Sequence, residues 1–116
     1  AAPVAAAPGA LPEAPVPSAG ANAVGVSAHD EGGFVLRLSR LTVRPGALLV
    51  NFHNFDVSPH NLFLEAPGGA VRRLTEDLGE GGDVTERVEV EPGAYRLFCA
   101  LPGHGAMRRT LTVSEP

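Results

Sequence analysis

The chain has 116 residues, a formal net charge of −4 and nine strong bases, all of them arginines. This length fits one domain, and the lack of a basic stripe argues against nucleic-acid binding. No apolar run reaches the about 18 residues of a membrane span, and no charged and hydrophobic leader segment is present. We therefore predict a small soluble domain that does not bind nucleic acid.

The first 22 residues differ in composition from the rest. They are mainly Ala, Pro, Gly and Val, with prolines at positions 3, 8, 12, 15 and 17 and a single acid, Glu13. Because proline interrupts helices and sheet ladders, we predict that residues 1–22 form an extended, disordered tether and that residues 23–116 form the domain. A tether of this kind is typical after a removed signal peptide or a membrane anchor, which predicts an exported, periplasmic or other extracytoplasmic protein.

From residue 22 onward, short alternating or β-branched segments are separated by Gly and Pro. Only residues 72–78 have a pattern that fits a helical turn. Spacing of this kind predicts an all-β fold, a β-sandwich with Greek-key connections. The predicted strands are 23–28, 34–39, 41–43, 47–54, 60–65, 83–90, 93–99 and 108–113.

A group of soft metal ligands begins at the end of the strand predicted at 93–99. The only cysteine, a histidine and the only methionine lie within nine residues, in Cys99-Ala-Leu-Pro-Gly-His104-Gly-Ala-Met107. Sulfur ligands select copper over harder ions, and two histidines, one cysteine and a weak axial methionine describe blue-copper electron-transfer centres. The best candidate for the second histidine is His60, at the start of the strand predicted at 60–65.

Strand periodicity gives a separate test of this set, because alternate residues of a strand face opposite sides of a sheet. His60, Cys99 and Met107 each have the same parity as apolar residues in their own segments. We therefore predict that these three side chains project toward the core at one end of the sandwich. The side chains predicted to point outward are Asn61, Phe63, Arg96 and Phe98.

Three parts of the sequence resemble one known family. They read Leu41-Thr-Val-Arg-Pro-Gly46, Pro59-His60-Asn61, and Gly93-Ala-Tyr-Arg-Leu-Phe-Cys99 with the segment that leads to Met107. These parts lie within a match over most of residues 24–113, and they resemble the cupredoxins, the small blue-copper proteins such as plastocyanin, amicyanin and azurin. The resemblance implies a cupredoxin-like β-sandwich that binds one type 1 copper ion.

The resemblance also implies a role for each site residue. His60, Cys99 and His104 would be the equatorial copper ligands, and Met107 the axial one. Asn61 would tie the two ligand loops together and hydrogen-bond near the Cys99 sulfur. His104 would be the electron port, where a redox partner protein docks briefly. Two residues separate His104 from Met107, as in amicyanin-like proteins, whereas many relatives with the same Cys-to-His spacing have a longer segment there.

These residues are considered as the site of one of three functions. The first is transfer of single electrons by copper cycling between Cu(I) and Cu(II), without an enzymatic step, since four protein ligands leave no open position for a substrate. The second is copper delivery or storage by the same ligands. The third, an enzyme with Cys99 as nucleophile and His104 or His60 as base, leaves Met107 unexplained. We favour the first, and expect a monomer that works with redox partner proteins and takes no small-molecule substrate.

Overall fold

A computed structural model of the chain describes residues 22–115. Within this range the secondary structure consists of β-strands, and the all-β prediction is confirmed. The strands are β1 (Ala23–Asp30), β2 (Phe34–Leu38), β3 (Thr42–Val43), β4 (Gly46–Asn54), β5 (Phe63–Glu65), β6 (Val71–Arg73), β7 (Asp83–Val90), β8 (Gly93–Phe98) and β9 (Arg108–Val113).

The strands form two mixed sheets that face each other as a sandwich. One sheet has four strands in the order β2-β1-β4-β7, and the other has five in the order β3-β9-β8-β5-β6. β1 pairs parallel with β4, and β3 pairs parallel with β9, while the remaining pairs are antiparallel. Within the described residues the chain passes from one sheet to the other at five connections, β2–β3, β3–β4, β4–β5, β6–β7 and β7–β8, which is typical of a Greek-key sandwich.

Residues of alternating polarity build the core between the sheets. In β4, Leu48, Val50 and Phe52 are buried, and the residues between them are partly exposed. Burying each such side chain contributes about 1.5–3 kcal/mol. β1, β7, β8 and β9 add residues of the same kind to one continuous apolar cluster, which also includes Cys99 and Met107.

Residues 72–78 do not form the helical turn that their pattern fits, so that prediction is wrong. The segment begins in β6, has no regular secondary structure over residues 74–77, and ends at Leu78, which forms an isolated antiparallel bridge with His60. The two backbone hydrogen bonds of this bridge are 2.8 and 3.0 Å long. Pairing with the segment around His60 and burial of Leu74 outweigh the weak local helical preference.

The predicted tether, residues 1–22, lies almost entirely outside the described residues. Its disorder and the domain boundary at residue 23 stay predictions. Within residues 22–115, the structure has no helix that is long and apolar enough to cross a membrane.

Candidate metal centre

Three of the predicted site residues converge in space. His60, Cys99 and His104 each offer one ligand atom, and these atoms all lie within 4.8 Å of one another. His60 Nδ1 is 3.2 Å from His104 Nδ1, which in turn is 3.4 Å from Cys99 Sγ. No other group of three or more His, Cys, Asp and Glu side chains within residues 22–115 has this spacing.

The ends of two neighbouring strands explain why His60 and Cys99 meet. β5 and β8 are antiparallel, with Phe63 opposite Phe98. The segment that enters β5 and the segment that leaves β8 therefore lie at the same end of the sheet. His60 is in the first segment and Cys99 begins the second.

Backbone hydrogen bonds fold the loop after Cys99 back on itself. The Cys99 N–H donates to the Met107 carbonyl (3.1 Å), and the Met107 N–H donates to the His104 carbonyl (2.9 Å). The His104 N–H donates to the Leu101 carbonyl at 3.1 Å. Gly103 has a φ of 82°, in the left-handed region that glycine adopts without strain. These turns return His104 to the vicinity of Cys99.

Met107 lies in the same loop and is 0% exposed. Its backbone is hydrogen-bonded to the backbones of Cys99 and His104, and its side chain belongs to the apolar core. Burial of Met107 agrees with the strand parity that predicted it. The axial role of its thioether stays a prediction.

The three clustered side chains differ in their access to solvent. His60 and Cys99 are buried, and His104 is partly exposed. Phe34, the first residue of β2, packs against both imidazoles, with ring centroids 5.1 Å from His60 and 4.3 Å from His104. The cluster is therefore shielded from water except at His104. Sequence reasoning missed Phe34, since only the sandwich brings β2 to the Cys99 loop.

The second nitrogen of His60 is held by an acid that the sequence analysis also missed. His60 Nε2 donates to Asp56 Oδ2 at 2.8 Å, and both side chains are buried. The hydrogen bond from His60 holds the pKa of the Asp56 carboxyl below its ordinary 3.8, although burial acts in the opposite direction. The signal available in the sequence was an acid four residues before a candidate ligand histidine.

This contact fixes which nitrogen of His60 carries the proton. An ionised Asp56 only accepts hydrogen bonds, so the proton of neutral His60 lies on Nε2. The lone pair then lies on Nδ1, the atom that faces His104. A neutral imidazole nitrogen is the form that binds a metal ion.

The environment of His104 also favours its neutral form. Burial lowers the pKa of His104 below its ordinary 6.5, and the neighbouring His60 lowers it further, while Asp56 acts in the opposite direction. At pH 7 the imidazole is therefore neutral and able to bind a metal ion.

Asn61 joins the two segments of the site. Its Oδ1 accepts the backbone N–H of Ala100 at 2.9 Å, and its Nδ2 donates to Asp77 Oδ1 at 3.0 Å. The residue is only 3% exposed, so the outward orientation predicted from strand parity is wrong. Strand parity does not apply to Asn61, because the regular pairing of β5 begins only at Phe63. Hydrogen bonds from both ends of the Asn61 amide allow this polar side chain to be buried.

The other two histidines of the described chain lie outside the cluster. His53 Nδ1 is 2.8 Å from Asp83 Oδ2, and His29 Nε2 is 2.8 Å from Ser27 Oγ. Both rings pack against Phe55, which is 60% exposed. They form a polar and aromatic group on the surface that is separate from Cys99.

Comparison with known proteins gives matches at the level of structure. No protein-family model and no curated protein sequence matches the chain. Auracyanin from the photosynthetic bacterium Roseiflexus castenholzii matches with a TM-score of 0.63 and 20% identity, over 83% of this chain and 100% of auracyanin. A purple cupredoxin from Nitrosopumilus maritimus matches with a TM-score of 0.52 and 24% identity, over 79% of this chain and 98% of that protein.

Amicyanin from Paracoccus versutus has the same fold, with a TM-score of 0.52 and 22% identity over 84% of each chain. An amicyanin point mutant that also matches was solved in its Cu(I) form. A multicopper oxidase matches too, although this chain spans only 41% of its length. These likenesses show that residues 22–115 have the cupredoxin fold, and the resemblance noted in the sequence is confirmed at that level.

Proposed function

We propose that this chain, which has the cupredoxin fold, holds one type 1 copper ion and carries single electrons between redox proteins. The observation that carries the proposal is the convergence of two imidazoles and one thiol, with ligand atoms within 4.8 Å, at one end of that fold. Two histidines, a cysteine and a weak axial sulfur are the donor set of blue-copper electron-transfer sites.

In this proposal His60 Nδ1, His104 Nδ1 and Cys99 Sγ are the equatorial ligands, and Met107 Sδ is the axial one. The donors fit copper, because thiolate and thioether sulfurs favour it over hard cations. Bound copper would supply a one-electron couple between Cu(I) and Cu(II). Zinc accepts the same ligands, so each test of the copper site starts from metal-free protein to which copper is added.

The contacts around the cluster fix the positions of the proposed ligands. His60 is held by its hydrogen bond to Asp56 and by its contact with the ring of Phe34. The backbone bonds of the Cys99 loop and the side chain of Asn61 hold the thiol segment. A cage that keeps its shape in both oxidation states favours rapid electron transfer.

His104 is the proposed electron port. It is the one member of the three-residue cluster that is partly exposed. Around it lie Leu101, which is partly buried, and the exposed residues Pro102 and Ala106. A small apolar rim suits the brief docking of a redox protein.

Copper delivery or storage is the second candidate. The same ligands would serve it, but a delivery protein must release its metal quickly to a partner. Burial of His60 and Cys99 favours slow release instead. We propose no enzymatic step, since four protein ligands would leave no open position for a substrate. The fold alone does not decide this, because a multicopper oxidase shares it.

We also propose that the protein works as a monomer outside the cytoplasm. The Ala/Pro-rich composition of residues 1–22 supports export and a tether. A lone thiol tolerates an oxidising compartment when it is buried, as Cys99 is. Fractionation of the producing cells tests the location.

The test of function is to load metal-free protein with one equivalent of Cu(II), and then to follow repeated reduction and reoxidation. We expect a reversible one-electron couple, no loss of copper over repeated cycles, and slow removal of copper by a chelator. Release of copper on each reduction, with rapid transfer to the chelator, would support delivery and contradict electron transfer.

A further inference from the structure

We propose that Asp56 is a positioning residue of the copper site, whose buried carboxylate fixes His60 and favours Cu(II) over Cu(I). The inference rests on the proposed function, and it deepens that function by naming a residue that sets the reduction potential. Asp56 contacts the proposed ligand His60 and is not one of the three clustered residues.

The contact between the two side chains is buried. Asp56 Oδ2 accepts the His60 Nε2–H at 2.8 Å, and the side chains are 6% and 0% exposed. A histidine that binds metal through one nitrogen commonly donates its other N–H to a carboxylate, a carbonyl or a water. Here the acceptor carries a full negative charge, which a carbonyl or a water does not.

Asp56 is itself held in place by its surroundings. The Val57 N–H donates to Asp56 Oδ1 at 2.8 Å, and the Asp56 N–H donates to Asn54 Oδ1 at 2.8 Å. The fully buried Asn54 donates in turn to the carbonyls of Ser58 and Leu78, both at 2.9 Å. Leu78 is also the backbone partner of His60. The acid and the ligand are thus fixed to one buried framework.

A simpler reading is that Asp56 only shapes the turn between β4 and His60. Its bond to Val57 fits that reading, because aspartate side chains often accept a nearby backbone N–H in turns. The turn uses Oδ1, however, and leaves the contact of Oδ2 with His60 unexplained. A turn-forming role alone would not require the carboxylate to point at a ligand.

Among residues 22–115 the structure gives Asp56 one contact with a basic side chain, that of His60, and this imidazole is neutral in its metal-binding form, so it does not cancel the carboxylate charge. A fixed negative charge in a poorly solvated interior interacts strongly with charges nearby. Cu(II) carries one more positive charge than Cu(I), so the carboxylate stabilises the oxidised state more. The wild type should then have a lower reduction potential than a variant with a neutral residue at this position.

The first experiment compares Asp56→Asn with the wild type, both loaded with copper, and measures the midpoint reduction potential. Asp83→Asn is the matched control, because Asp83 binds His53 at the same distance of 2.8 Å but on the surface. We expect a higher potential in Asp56→Asn and no shift in Asp83→Asn. Equal potentials in all three proteins, with unchanged visible spectra, would overturn the charge effect.

The second experiment tests positioning by the proton location on His60 in metal-free protein and by the affinity for Cu(I). Nitrogen NMR of the metal-free wild type should find the His60 proton on Nε2, and Asp56→Ala should lose that preference and bind Cu(I) about 10–100-fold more weakly. A proton on Nδ1 in the wild type would overturn the positioning role, even if the variants fail to fold. A wild type without a type 1 copper spectrum contradicts the proposed function itself, whereas a normal wild-type spectrum with an unshifted Asp56→Asn potential contradicts only this inference.

Discussion

The ring of Phe34 lies 4.3 Å from the ring of His104, centroid to centroid. The two residues belong to opposite sides of the sandwich, because Phe34 begins β2 of the four-stranded sheet and His104 lies in the loop that leads to β9 of the other sheet. Both sheets therefore contribute to covering the cluster, and the protection of the site depends on the packing of the whole domain.

Removal of the Phe34 ring should raise the pKa of His104. Burial is the largest cause of its lowered pKa, and Phe34→Ala would admit water to the imidazole. Proton NMR of the His104 ring in metal-free protein, followed across pH, measures the midpoint. Phe55→Ala is the control, because the exposed Phe55 contacts His29 and His53 and is not part of the cluster. An unchanged His104 midpoint in Phe34→Ala would contradict the shielding role.

The stability of the metal-free protein should fall in acid. His104 has a folded-state pKa below its ordinary 6.5, so below that pH the unfolded chain takes up a proton that the folded chain resists. The free energy of unfolding therefore decreases as the pH falls from 6.5 toward the folded-state pKa. Asp56, with its pKa held below 3.8, adds stability above that pH, which is lost as the pH falls further.

Urea unfolding at a series of pH values measures this dependence. The variant His104→Gln should have a flatter curve just below pH 6.5 and retain the loss below 3.8. An identical pH dependence in the wild type and His104→Gln would show that another group is responsible.

Met107→Leu should leave copper bound and raise the reduction potential. Leucine has a similar volume, so the change in this buried position costs less than about 1.5 kcal/mol of stability. It removes the sulfur, however, and the axial ligand tunes the potential of such sites. Voltammetry of the copper-loaded variant measures the effect. A potential equal to that of the wild type would mean that Met107 serves as core packing and not as the axial ligand.

Asn61→Ala should destabilise the metal-free protein by about 1–3 kcal/mol, the penalty for a buried hydrogen-bonding group left without its partner. The group left behind is the Ala100 N–H, next to Cys99. Asn51→Ala is the control, since the Asn51 amide bonds Asp83 and Thr85 on the surface, where a substitution changes stability by about 0.5 kcal/mol or less. Equal unfolding free energies for the two variants would contradict a linking role for Asn61.

Local patterns were sufficient to predict most strands and the members of the cluster. Period-two alternation marks a strand wherever one face is buried, as in β4. Cys99, His104 and Met107 lie close together in the sequence, and their chemistry identifies them without reference to the fold. His60 is separated from them in sequence, so it was identified by its position at the start of a predicted strand and by strand parity, and the family resemblance supported it.

The features that sequence reasoning missed depend on contacts between distant segments. Residues 72–78 form no helical turn because Leu74, Thr75 and Leu78 hydrogen-bond the backbone of the segment from His60 to Leu62. Asn61 can be buried because its side-chain amide forms hydrogen bonds with Asp77 and with the backbone of Ala100. Parity alone places a residue on one face only where the strand is regular, and Asn61 precedes the regular part of β5.

The most direct test of the account is the visible absorption and EPR spectrum of metal-free protein after addition of one equivalent of Cu(II), with Cys99→Ser beside the wild type. We predict an intense thiolate-to-copper band and narrow copper hyperfine splitting in the wild type, and loss of that band in Cys99→Ser. A colourless wild type with the EPR signal of ordinary tetragonal copper, or a band that persists in Cys99→Ser, would contradict a type 1 site built on this cysteine.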